Sequence, residues 1–83
     1  MITIYIYKKC PYSINAIRFC KENNLKYISI DMEIYGGKEN VIKQLKENGY
    51  MNRNNSHNTA PIIFEERKFV GGFDGLVSNY YNK

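Results

Sequence analysis

Residues 1–32 read MITIYIYKKCPYSINAIRFCKENNLKYISIDM, and the order of patterns within them decides the fold. Met1 to Tyr7 is β-branched and aromatic throughout, the composition of a strand buried on both faces. Lys8 and Lys9 end it. Pro11 suits the first turn of a helix, where its missing N–H costs nothing. Ile14, Ala16, Ile17, Phe19 and Cys20 then recur at helical spacing up to about Asn24, and Asn23-Asn24 is a plausible stop. Tyr27 to Met32 alternates as a second strand. A strand, a crossover helix and a second strand imply two parallel strands joined in right-handed fashion.

Beyond this unit, Gly36-Gly37 breaks the chain and a second helix carries Val41, Ile42 and Leu45, with Gly49 as its C-terminal cap. Tyr50 to Asn58 is polar, Asn-rich and aperiodic, a loop longer than the usual connection of about 4–6 residues. Pro61-Ile62-Ile63-Phe64 and Lys68-Phe69-Val70 flank a polar turn at Glu65-Glu66-Arg67, the pattern of a β-hairpin. After Gly71-Gly72, the residues Phe73, Leu76, Val77, Tyr80 and Tyr81 form the apolar stripe of a last helix. The order β-α-β-α-β-β-α predicts an α/β fold: a four-stranded mixed sheet with three helices, the thioredoxin-like arrangement. Residues 1–83 make a single domain, because a chain of 83 residues supports one small core.

Composition narrows the function classes. No stretch approaches the ~20 apolar residues of a membrane span. Met1-Ile2-Thr3-Ile4 does not read as a signal peptide, so a cytoplasmic, reducing setting is expected. Two cysteines do not build a multi-bridge secreted scaffold, and they lack histidines in zinc-ligand spacing, so no metal site is expected. His57, the lone histidine, lies in a polar run and reads as a solvated loop residue. The net charge of +4 is dispersed along the chain. No nucleic-acid motif accompanies it, and attraction of small anionic partners is the better use for it.

The chemistry concentrates at Cys10. It is expected at the N-cap of the first helix, where free backbone N–H groups and the helix dipole favour the thiolate. Lys8 and Lys9 add positive charge. Ser13 occupies the fourth position of a Cys-x-x-Cys pattern. A hydroxyl cannot resolve a mixed disulfide, but it can donate a hydrogen bond to a thiolate at Cys10. Single-cysteine exchange is the chemistry left, whereas a natural Cys at position 13 would allow dithiol chemistry. Cys20 follows ten residues later, about 15 Å along a helix. That is too far for a bridge to Cys10, so Cys20 reads as core.

Three segments, Cys10-Pro11-Tyr12-Ser13, Thr59-Ala60-Pro61 and Gly71-Gly72-Phe73-Asp74, together resemble the glutaredoxin family over essentially the whole chain. The short length, the loop before Thr59 and the ending Gly-Gly-Phe-Asp-x-Leu are most similar to glutaredoxins of large DNA phages and viruses, which would set the chain in host cytoplasm. The resemblance implies a glutathione-dependent thiol–disulfide oxidoreductase with glutathione as co-substrate. Cys10 would attack glutathione mixed disulfides and a second glutathione would release it. Implied partners are glutathionylated proteins or small disulfides, with ribonucleotide reductase as a further candidate, and the implied state is a monomer.

The resemblance also implies a cis bond before Pro61, with the Ala60 backbone opposite Cys10 to pair with the cysteinyl part of glutathione. Gly72, Phe73 and Asp74 would hold the γ-glutamyl end, Lys8 or Lys9 the glycine carboxylate, and Tyr12 and Thr59 would line the groove. The alternative within the family is a glutathione-ligated [2Fe–2S] carrier. Such members resemble Cys-Gly-Phe-Ser at the site, from which Pro11 and Tyr12 depart. Gly75 stands where many members carry a second acidic residue, and Asn58 where a basic residue often precedes the Thr.

Overall fold

The computed structural model describes residues 1–82. The elements follow the expected order: β1 (Ile2–Ile6), α1 (Pro11–Glu22), β2 (Tyr27–Asp31), α2 (Lys38–Glu47), β3 (Ile62–Glu65), β4 (Lys68–Gly71) and α3 (Phe73–Tyr81). The sheet order is β2-β1-β3-β4, with β1 parallel to β2 and antiparallel to β3, and β3 antiparallel to β4.

The period of two along β1 divides the core between the two faces of the sheet. Ile2, Ile4 and Ile6 pack with Ala16 and Cys20 of α1, Ile63, and Leu76 of α3. Tyr5 and Tyr7 turn to the other face, against the cluster of Met32, Val41, Ile42, Leu45, Ile62 and Phe64 under α2. Adjacent Ile62 and Ile63 thus serve opposite layers, and both are fully buried, each stabilising by roughly 1.5–3 kcal/mol. Cys20 is fully buried in the α1 layer, as its spacing predicts.

Two local differences from the expected pattern have identifiable causes. The Asp31 carboxylate accepts the Glu33 N–H at 3.0 Å. This ends β2 one residue early and starts a 3-10 turn over Met32–Tyr35, which Gly36 closes in a left-handed conformation (φ 90°). In the hairpin, Glu65 remains in β3 opposite Lys68, so only Glu66 and Arg67 make the turn. Glu66 takes a positive φ of 56°, and its N–H donates to the Met1 carbonyl at 3.0 Å. Among the described residues, no helix is long and apolar enough to cross a membrane.

Candidate active site

β1 delivers the chain to the site, and three contacts fix how it leaves the sheet. The Cys10 N–H donates to the Tyr7 carbonyl at 3.0 Å. The Tyr7 N–H donates to Ser13 Oγ at 3.3 Å. The Tyr7 hydroxyl in turn accepts the Lys38 N–H. Helix α2 begins at Gly37 without a side-chain cap of its own, so a phenol from β1 meets one of its orphan donors. Tyr7 thereby ties the start of α1 to the start of α2.

Cys10 is the N-cap residue of α1, in extended conformation (φ −83°, ψ 120°), with Pro11 at the first helical position. The backbone amides of the first turn have no intrahelical acceptor, and the helix dipole adds positive potential at that end. Cys10 is partly exposed, while Cys20 is buried and burial raises its thiol above the ordinary value. Ser13 is 1% exposed and its Oγ accepts from the strand end. Among the described residues, no hydrogen bond joins it to Cys10, so the arrangement fastens backbone to backbone instead of engaging the sulfur.

Facing Cys10, the Ala60–Pro61 peptide is cis. The Cys10 Sγ–H donates to the Ala60 carbonyl at 3.6 Å, which brings residues fifty positions apart to the mouth of one open cleft of about 630 Å³. Its wall includes Cys10, Tyr12, Thr59, Ala60, Pro61, Gly72, Phe73 and Asp74. Eight of the ten residues singled out from the sequence therefore converge, with Ser13 beneath them. Gly72 is the N-cap residue of α3. Asp74 is exposed in the first turn of that helix and lines the cleft, and Phe73 anchors the turn edge-on against Phe19 at 6.3 Å.

Lys8 does not join them. Its Nζ lies 3.7 Å from the Asp31 carboxylate, and the side chain stays outside the cleft lining. The cation in the lining is Lys38, which the sequence reading did not single out. Tyr7 and His57 complete the wall. His57 is not a solvated loop residue: it is partly buried, 3.2 Å by Nε2 from the Pro61 carbonyl and edge-on to Phe69 at 5.4 Å. The signal for Tyr7 lay in its place at the end of β1. Lys38 and His57 had no local signal: Tyr7 meets Lys38 from across the fold, and Phe69 and Gly72 meet His57 from later in the chain.

The chain is 32% identical over 77 residues to glutaredoxin 1 of Rickettsia typhi, spanning 93% of this chain and 67% of the relative. It is 31% identical over 76 residues to a probable glutaredoxin of Acanthamoeba polyphaga mimivirus, spanning 89% and 72%. Among solved structures, glutaredoxin 1 from Francisella tularensis, crystallised with cacodylate, superposes with a TM-score of 0.77. That match has 26% identity and covers 98% of this chain and 92% of the other. No protein-family model matches.

Proposed function

Because the chain belongs to the glutaredoxin family and is a glutaredoxin-type thiol–disulfide oxidoreductase, we propose that it exchanges thiols with glutathione through Cys10 alone. The observation that carries this reading is the approach of Cys10 Sγ to the Ala60 carbonyl across the cis-Pro61 loop, at the mouth of the cleft. A peptide thiol lying along residues 59–61 would bring its own sulfur to Cys10 while its backbone pairs with Ala60.

In the first step the Cys10 thiolate attacks the glutathione sulfur of a mixed disulfide. An S–S bond forms between Cys10 and glutathione, and the substrate leaves as a thiolate. In the second step the thiolate of another glutathione attacks the sulfur of the bound one. Glutathione disulfide leaves and the Cys10 thiolate returns. Cys10 stands at the N-terminal, positive end of the α1 dipole throughout both steps. Ser13 offers no second thiol, so the external glutathione resolves the intermediate.

The cleft supports the ligand's charges. The amides at the start of α3 suit the γ-glutamyl carboxylate, Asp74 its ammonium, and Lys38 the glycine carboxylate, the task that sequence reading gave to Lys8 or Lys9. Tyr12 and Thr59 border the ligand. Partners of this activity are glutathionylated proteins and small disulfides in a reducing cytoplasm, with a disulfide-forming enzyme such as ribonucleotide reductase as a further candidate, and the chain acts as a monomer. Turnover of a glutathione mixed disulfide tests the reading. Cys20→Ser should keep activity while Cys10→Ser loses it, and activity retained without Cys10 would overturn it.

A further inference from the structure

We infer that His57 is a positioning residue for the glutathione-binding loop, a role that rests on the function proposed above. The segment before Thr59 has no helix or strand, so its course must be set by side chains. Two successive Asn turns set it: Asn52 Oδ1 accepts the Asn54 N–H at 2.9 Å, and Asn55 Oδ1 accepts the His57 N–H at 2.8 Å. Between Asn52 and Thr59, only Asn55 and His57 escape full exposure. The turns therefore end in one docked side chain.

That side chain closes a short ring of structure. A carbonyl oxygen can only accept, so the imidazole carries its hydrogen on Nε2 and donates it to Pro61 at 3.2 Å. The bond spans Asn58, Thr59 and Ala60, the last of which accepts from the thiol, and its acceptor belongs to buried Pro61. The ring also rests edge-on against Phe69 of β4. It also lies near Gly72, where an added Cβ would fall 3.3 Å from His57 Cε1. One imidazole thus ties the Pro61 loop to β4 and to the N-cap residue of α3.

The test compares His57→Phe, which keeps the aromatic packing, with His57→Gln, whose amide N–H can still reach Pro61. For glutathione mixed-disulfide turnover, His57→Phe should raise the KM for glutathione about fivefold, the scale of one lost hydrogen bond. Its kcat should stay within about twofold, and His57→Gln should return KM to near the wild-type value. Amide hydrogen exchange supplies a readout that needs no substrate. The hydrogen-bonded amides of Asn55 and residue 57, in the turns that lead into Thr59, should exchange about fivefold faster in His57→Phe, with β1 unchanged. Unaltered exchange at both amides in His57→Phe overturns the clamp, as does a Gln variant no better than Phe. If exchange responds as stated but the wild-type protein does not turn over the mixed disulfide, the function fails and the clamp stands.

Discussion

Gly75 lies so close to the carbonyl of Val70 that a Cβ built on it would fall 1.9 Å from the Val70 oxygen. The contact is backbone to backbone, between the first turn of α3 and β4, so no side-chain rotation relieves it. No side chain is accommodated at this position, because the helix is seated too tightly on the sheet edge. Gly75→Ala should destabilise the fold by about 3 kcal/mol or more, above the better helix propensity of Ala at under ~1 kcal/mol. Urea denaturation would show a clearly lower midpoint with an unchanged slope. A midpoint equal to wild type would mean that α3 can lift from β4 at no cost.

The two thiols should differ sharply in reactivity. Cys10 is partly exposed at a helix start, whereas Cys20 has 0% exposure and a thiol that burial holds above its ordinary value. Iodoacetamide applied to the native protein near neutral pH should add one group, on Cys10, and a second only in denaturant. Mass spectrometry after a time course checks this. Equal labelling of both cysteines under native conditions would show that α1 opens readily.

Cys20 and Tyr5 also set a sign for stability against pH. Burial raises the Cys20 thiol. Burial, followed by the neighbouring Tyr50 and Tyr35, raises the Tyr5 hydroxyl. Both groups keep their protons in the folded state at pH values where the unfolded chain has released them. Their contribution is therefore full below the unfolded thiol value, about 8.5, and falls as pH rises through the raised folded values. Tm should decline above roughly pH 8.5, and Cys20→Ala should decline less steeply over that first interval. Identical slopes for the two proteins would remove Cys20 from the explanation.

Much of this was legible in the sequence because the signals were local. The period-two run of β1, the helical spacing in α1 and α3, and the Cys10-Pro11 junction each specify their structure without help from distant residues. The three segments that meet at the cleft were readable as motifs for the same reason. What escaped was set by tertiary approach. The Asp31 carboxylate draws Lys8 away from the cleft, and the Tyr7 hydroxyl fixes the start of α2 where Lys38 enters the wall. His57 looked solvated because the polar run around it does not show that Pro61, Phe69 and Gly72 pack on its ring. Gly75 read as a missing acid, and in the fold it meets the Val70 carbonyl.

The exchange of roles between the two lysines is directly measurable. Lys38 lines the cleft, while Lys8 is 75% exposed at its side chain and turned to Asp31. Under the proposed function, Lys38→Met should raise the KM for glutathione about threefold, the scale of a partly exposed charge pair of under ~1 kcal/mol. Lys8→Met should leave it nearly unchanged. Steady-state kinetics at low and high salt check the assignment, since the Lys38 effect should shrink as salt screens it. A larger effect at Lys8 would return the carboxylate to that residue.

Ser13 gives the most informative substitution at the thiol itself. The Tyr7 peptide unit is held on both sides, its carbonyl by the Cys10 N–H and its N–H by Ser13 Oγ. Ser13→Ala should cost about 1 kcal/mol of stability through the lost acceptor and leave mixed-disulfide turnover in place. Ser13→Cys puts a second sulfur three residues from Cys10 in the first turn of α1, a separation within the ~4.4–6.8 Å that a disulfide spans between Cα atoms. Oxidation should then close a bridge between Cys10 and the introduced thiol, converting single-cysteine exchange into dithiol chemistry. After mild oxidant, alkylation in denaturant should add one group to this variant, on Cys20, and two to the wild type. Three groups added to the oxidised variant would mean that the helix start cannot bring the two sulfurs together.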